Sequence, residues 1–295
     1  MNVALILPAR DEAECIATVV REARRYVSGD IIVVDNGSRD ATAELAAAAG
    51  ARVVAEPVPG YGRSCMTGVR EAAGAEILVF MDADGSDCPE DIPALLGEIS
   101  RGADIALGVR TGSRVEAGAM ARAARFGNWL SGVLIGLWTG RRVNDLSPLK
   151  AVTREALERI GPTETTYGWT VELLAVAATR KMTIAEVPTG YRHRIGGRSK
   201  VSGTLAGSFR AGWRILLVLG RVFMRGLSAR AAGGLAGLLL SLFALGGYTA
   251  WLFLQAPSNR DVLVSSWLLA WPASIAGLSL GMLAGFGLRL RRAGP

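Results

Sequence analysis

Asp82-Ala83-Asp84 sets two carboxylates two residues apart, directly after a strand predicted over residues 76–81. Backbone curvature at a strand exit can aim one carboxylate at a metal and the other at a ribose or a second coordination position. Hard oxygen donors of this kind suit Mg²⁺ or Mn²⁺. A solvated turn would explain an isolated D-x-D equally well, and the long apolar strand before this one favours the metal. A second group is cationic: Arg192, Arg194, Arg198 and Lys200, with His193 and Ser199, surround Gly196-Gly197. Arginine grips phosphate bidentately and lysine adds a point charge, so residues 191–200 suit a lipid phosphate or a diphosphate. A collar attracted to anionic lipids in general is the competing reading. Glu172, three residues after Trp169 on a predicted helix, is a candidate general base. An alcohol acceptor would need one; a phosphate monoester, already ionised at neutral pH, would not.

These groups need a scaffold, and the apolar pattern supplies it. Strands are predicted at 3–8, 31–34, 52–55, 76–81 and 104–108, and helices at about 11–26, 40–49, 64–73 and 89–100. Continuous apolar strands alternating with helices indicate an α/β fold with a mostly parallel sheet covered on both faces. Ligands of such sheets bind beyond the carboxyl ends of the strands. Those ends carry Arg10-Asp11-Glu12, Asp35-Asn36-Gly37-Ser38, residues 56–63 and Asp82-Ala83-Asp84-Gly85. Asp11 and Glu12 could cap the first helix or bind a ligand, and Asp35 could serve the turn or accept a hydrogen bond from a nucleotide base. No G-x-G-x-x-G follows the first strand and no G-x-x-x-x-G-K-[ST] occurs, which argues against a dinucleotide oxidoreductase or a P-loop NTPase.

Charge divides the 295-residue chain, whose net charge is +7 and whose residues are 50% hydrophobic. Residues 1–191 hold 20 Lys and Arg against 25 Asp and Glu, whereas residues 192–230 hold nine basic residues and no acid. Basic residues placed just before an apolar C-terminus point to a membrane surface, not to nucleic acid. Runs of 29 uncharged residues between Arg230 and Arg260 and 27 between Asp261 and Arg289 exceed the roughly 20 needed to cross a bilayer, so a transmembrane hairpin is expected. Arginines before the first span and after the second put both ends in the cytoplasm, and the glycines in both spans would allow a homo-oligomer. Residues 209–224 alternate Trp213, Leu216, Leu219 and Phe223 with Arg210, Arg214 and Arg221, the pattern of a helix lying in the headgroup layer. The early charges Arg10, Asp11 and Glu12 break the first apolar run, so no signal peptide is expected. Three cysteines without a C-x-x-C pair fit a reduced compartment.

Together, Pro8-Ala9-Arg10-Asp11-Glu12, Val33-Val34-Asp35-Asn36-Gly37-Ser38, Asp82-Ala83-Asp84-Gly85, Asp145-Leu146-Ser147-Pro148, Gly168-Trp169 with Glu172, and Glu186-Val187-Pro188 to Tyr191-Arg192 resemble family 2 glycosyltransferases of the GT-A fold, and dolichol- or polyprenyl-phosphate sugar synthases in particular. The resemblance spans about residues 1–205. It implies a membrane-anchored, inverting transfer of a hexose from a UDP- or GDP-sugar to a polyprenyl phosphate at the cytoplasmic leaflet of the inner membrane, with Mg²⁺ or Mn²⁺ as cofactor. Asp82 and Asp84 would then hold the metal. Pro8, Arg10, Glu12, Asp35, Asp82 and Arg63 would surround the nucleotide sugar, and Arg110, Arg125, Arg194, Arg198, Ser199 and Lys200 would meet the acceptor phosphate. Asp84, Glu172 and Arg125 are the implied catalytic residues. Two positions depart from the family pattern: Asn36 stands where a second acid is common, and Leu146-Ser147-Pro148 lacks the usual glycine. Transfer to a lipid alcohol or glycolipid with Glu172 as base, and a nucleotide-sugar-binding membrane scaffold, are the alternatives. The expected organisation is a GT-A catalytic domain over 1–205, an amphipathic juxtamembrane helix over 206–229 and a transmembrane hairpin over 230–295.

Overall fold

In the computed structural model, residues 1–196 and 205–226 are described. Four parallel strands open the fold: β1 (Val3–Ala9), β2 (Asp30–Asp35), β3 (Arg52–Ala55) and β4 (Ile77–Phe80). Between them run α1 (Ile16–Ala23), α2 (Thr42–Ala48) and α3 (Tyr61–Glu71). Successive β1 side chains point to opposite faces, and both faces are buried, which is why the strand reads as uninterrupted apolar sequence. Leu5 and Leu7 pack with Ile16 and Val19 in one core layer, whereas Ile6, Phe80 and Trp169 belong to the other. In α1 the buried Ile16, Val19, Val20 and Ala23 recur every three to four residues and form a single stripe. Burying each Ile or Val contributes about 1.5–3 kcal/mol.

The sequence pattern predicts the first helix from Asp11, but it begins at Ile16. Asp11 takes a left-handed φ of 48°, its N–H donates to Ser38 Oγ, and the Glu12 N–H donates to Thr42 Oγ1. The chain therefore bends before the helix starts, and Glu12 becomes part of the sheet rim.

The second half makes the sheet mixed. After α4 (Ile92–Ser100) come β5 (Ile105–Val115), α5 (Arg122–Thr139), β6 (Lys150–Thr153), α6 (Arg154–Ile160), α7 (Trp169–Thr179), β7 (Ile184–Tyr191) and α8 (Leu205–Gly226). The order across the seven strands is β3-β2-β1-β4-β6-β5-β7. β6 lies antiparallel between β4 and β5, while β5 and β7 pair in parallel. The carboxyl ends of β1, β2, β4, β5 and β7 thus share one edge with the start of β6. β5 runs on to Val115 instead of ending at residue 108, with an irregular register against β7 between Arg110 and Val115.

Met1–Phe223 forms one compact unit; nearly all of the second, Met224–Pro295, lies outside the described residues. The expected hairpin over 230–295 and the candidates Arg198, Ser199 and Lys200 fall there or in 197–204. Among the described residues no helix is long and apolar enough to cross a membrane.

Candidate active site

Gly85, with φ +78°, turns the chain back after Asp84. In this turn the Ser86 N–H and hydroxyl donate to Asp84 Oδ1 at 2.9 and 2.6 Å. Asp84 Oδ2 lies 2.9 Å from Arg194 Nη1. The same guanidinium reaches both Glu12 oxygens through Nη2, at 2.8 and 2.9 Å. Backbone contacts fix the segment that carries it: the Ile195 N–H donates to the Asp84 carbonyl at 3.1 Å, and Arg192 Nε donates to the Gly85 carbonyl at 2.7 Å. Arg192 also pairs with Glu22. The positive φ favours glycine here, and a Cβ on Gly85 would stand 2.5 Å from Ile195 Cδ1, so the Ile195 side chain would have to shift. The D-x-D and the start of the basic segment, more than a hundred residues apart in sequence, are in contact.

Beneath the rim lies a charge cluster that the sequence reading missed. Lys150 opens β6 fully buried; its Nζ donates to the Pro148 carbonyl at 2.8 Å and lies 5.7 and 6.0 Å from the Trp169 and Phe80 ring centres. Burial pushes its pKa down to about 8, against the pull of nearby Asp82 and Asp87. Asp87 is also buried and accepts from the Asp82 N–H at 3.1 Å; burial pushes its carboxyl up to about 6. The Asp82 carboxyl is held well above the usual range, first by burial and then by the neighbouring Asp84 and Asp87. A lone charge inside the run Leu149-Lys150-Ala151-Val152 was the available signal.

Asp145, from the fourth motif, accepts five hydrogen bonds among the described residues. It takes the Arg110 guanidinium through Nε at 2.8 Å and Nη2 at 2.6 Å, and it accepts from the Arg110 N–H, the Leu146 N–H and Asn128 Nδ2. Burial draws the Arg110 pKa down, but the hydrogen bonds and charge of Asp145 outweigh it and hold the guanidinium protonated. Arg110 also lies 4.9 Å over the Tyr191 ring. The arginine expected at an acceptor phosphate therefore has its fork closed on Asp145.

The other candidates fall into place around this rim. Asp35 receives the Ser38 N–H and hydroxyl, closing the turn after β2. Asn36 uses its amide group where an acid could not serve: Nδ2 donates to the Glu56 and Val58 carbonyls at 2.8 and 2.9 Å, and Oδ1 accepts from the Gly60 N–H at 2.8 Å. This departure from the family pattern pins the loop that leads to Arg63, a half-buried residue of α3. Arg10 sits loosely beside Asp11 at 3.9 Å, and Pro8 is half-buried at the end of β1. Arg125 is exposed on α5. Glu172 is buried near the start of α7, and its oxygens accept from the Thr163 N–H, the Thr163 hydroxyl and the Glu164 N–H at 2.7, 3.0 and 2.6 Å. It anchors the 163–164 turn. His193 meets Glu116 and the Ala117 carbonyl.

The donor set suits a divalent ion. Among the described residues no hydrogen bond or ion pair engages the Asp82 carboxylate, and its crowding with Asp84 and Asp87 is the repulsion that a cation relieves. Among the described residues no three His, Cys, Asp or Glu side chains converge as a metal cage. Mg²⁺ commonly binds through one or two carboxylates and completes its shell with substrate phosphates and water, and Asp82 and Asp84 are the carboxylates here that could supply that share.

Residues 4–161 match the family described as Glycosyl transferase family 2. The chain is a family 2 glycosyltransferase. This glycosyltransferase is 38% identical over 216 residues to an uncharacterized glycosyltransferase of Mycobacterium tuberculosis, covering 71% of this chain and 94% of that one. It is 34% identical to a dolichyl-phosphate hexose transferase of Haloferax volcanii, with 66% and 85% covered, and 30% identical to an undecaprenyl-phosphate mannosyltransferase of Micrococcus luteus, with 70% and 90% covered. Among solved structures it is similar to glucosyl-3-phosphoglycerate synthase of M. tuberculosis in complex with Mn²⁺, UDP and phosphoglyceric acid. That likeness has a TM-score of 0.61 at 26% identity, over 75% of this chain and 78% of that one. The glycosyltransferase thus has the GT-A-like α/β fold expected from its motifs, with a mixed sheet.

Proposed function

We propose that this glycosyltransferase moves a hexose from a UDP- or GDP-sugar to a polyprenyl phosphate at the cytoplasmic face of a membrane, with inversion at the anomeric carbon. The observation that carries this reading is the contact of Arg194 with Asp84: a phosphate-seeking cation stands at the carboxylates suited to the donor's metal. In this reading Asp82 and Asp84 would hold Mg²⁺ or Mn²⁺, and the bound ion would offset negative charge on the departing nucleoside diphosphate. Arg194, at the head of the basic segment, receives the acceptor's phosphate and sets one of its oxygens in line with the sugar. That oxygen is already anionic, so positioning and charge complementarity do the work of a base. Glu172, turned onto the 163–164 turn, fits this base-free chemistry.

Membrane attachment is part of the proposal. On α5, Phe126, Trp129 and Leu137 are exposed, and Leu216 and Leu217 are exposed on α8. Trp138 of α5 and Phe223 of α8 stack with ring centroids 4.8 Å apart. No acid occurs from Ala117 to Asn144, while Arg122, Arg125, Arg141 and Arg142 do. Exposed aromatics in a stretch of sequence with arginines and no acids suit an anionic bilayer surface, and the uncharged runs after Arg230 would anchor the chain there.

The test is transfer by the purified full chain from a panel of UDP- and GDP-sugars to undecaprenyl phosphate, with undecaprenol as the hydroxyl control. A glycolipid should form with the phosphate only and only with Mg²⁺ or Mn²⁺, and Asp84→Ala should lower the rate by at least about a hundredfold. Full activity of Asp84→Ala with metal supplied, or equal use of undecaprenol, would refute the assignment.

A further inference from the structure

Building on that reading, we propose that Arg194 is an exchangeable counter-ion. It neutralises Asp84 and Glu12 while no metal is bound, yields Asp84 to the divalent ion that enters with the nucleotide, and only then offers its guanidinium to the acceptor phosphate. Binding of the donor with its metal therefore favours binding of the acceptor phosphate.

Three observations lead here. Both Asp84 oxygens are engaged within the protein, Oδ1 by Ser86 in its own turn and Oδ2 by Arg194. A divalent ion on Oδ2 would share that oxygen with a guanidinium, and repulsion between the two cations grows as the inverse of their separation. Among Arg194, Asp84 and Glu12, Arg194 is the most exposed side chain, at 25% against 12% for Asp84 and 8% for Glu12, so its guanidinium can turn toward solvent most readily. Its backbone need not follow, because the Ile195 N–H on the Asp84 carbonyl and Arg192 on the Gly85 carbonyl hold the segment independently of the Arg194 side chain. Arg110 shows the opposite design. It is 8% exposed and bound bidentately to Asp145, a partner outside the D-x-D, so metal entry gives it no reason to move.

Competition between Arg194 and the metal has a sign that a plain donor-binding arginine lacks. Mn²⁺·UDP and Mn²⁺·GDP binding to the full chain in detergent micelles is measured by calorimetry, with Mn²⁺ paramagnetic resonance as a second readout. Farnesyl phosphate serves as the acceptor probe. Arg194→Gln should bind the Mn²⁺·nucleotide about three- to tenfold more tightly than wild type. Saturating Mn²⁺·nucleotide should tighten farnesyl phosphate binding at least about threefold in wild type and leave it unchanged in Arg194→Gln, since coupling between two sites is reciprocal. Arg194→Lys keeps the charge but replaces the two-armed guanidinium that spans Asp84 and Glu12 with one compact ammonium; it should fall between the two, and its melting temperature together with that of Arg194→Gln controls for folding. Equal or weaker Mn²⁺·nucleotide binding by a folded Arg194→Gln overturns this proposal while leaving the transferase reading intact. Failure of wild type to bind any Mn²⁺·nucleotide overturns both.

Discussion

The Arg110–Asp145 pair offers the sharpest energetic test of the site's construction. Asp145→Leu leaves the Arg110 guanidinium charged, 8% exposed and without its carboxylate. Breaking a buried ion pair from one side costs about 3–5 kcal/mol. The same change orphans the Arg110 and Leu146 N–H groups, which donate to Asp145 at 2.9 and 2.7 Å, so the loss should sit at the upper end of that range. Arg110→Met is milder, about 2 kcal/mol, because Asp145 keeps Asn128 and both backbone donors. In Arg110→Met/Asp145→Leu no buried charge is left alone. The double variant should be no less stable than Asp145→Leu, giving a coupling energy of at least about 2 kcal/mol. Denaturant unfolding of the four proteins in one detergent, followed by tryptophan fluorescence to which buried Trp169 contributes, measures the cycle. A cost below about 1 kcal/mol for Asp145→Leu, or simple additivity in the double variant, would show that the pair is not the buried, mutually dependent unit described above.

Two further outcomes follow from the same geometry. Glu172→Gln replaces an acceptor of three hydrogen bonds by an amide that opposes some of those donors; the melting temperature should fall by several degrees, about 1–2 kcal/mol, while kcat with a lipid phosphate drops less than about tenfold, and a collapse of kcat in a folded variant would restore Glu172 as a base. Asp87→Asn retains an oxygen for the Asp82 N–H. Burial raises the native carboxyl from 3.8 to about 6, so the native state binds the extra proton between those values and this group's contribution to stability declines as pH rises through that window, by up to about 3 kcal/mol. The variant should accordingly be the more stable protein at about pH 7.5 and match wild type near pH 4; an equal stability difference at both pH values would contradict the cause assigned to the shift.

Much of the site was legible in the sequence because it is local. A strand followed by D-x-D puts both carboxylates at a sheet edge whatever the rest of the chain does, and the apolar runs of β1, β2, β3 and β4 with their intervening helices were enough to place Glu12, Asp35 and Asp84 at the same rim. Periodicity could not reveal β6: four residues led by a lysine carry too little pattern, and their antiparallel insertion depends on the neighbours β4 and β5. Nor could it reveal which cation meets which carboxylate. Arg110 and Arg194 are chemically identical, yet one is locked on Asp145 and the other is shared by Glu12 and Asp84. Residue type fixes what a side chain is able to bind, while the long-range pairing of β5 with β7 and the close approach of residues 192–196 to Gly85 decide what it does bind. That choice lies between groups far apart in the chain, so only tertiary packing makes it.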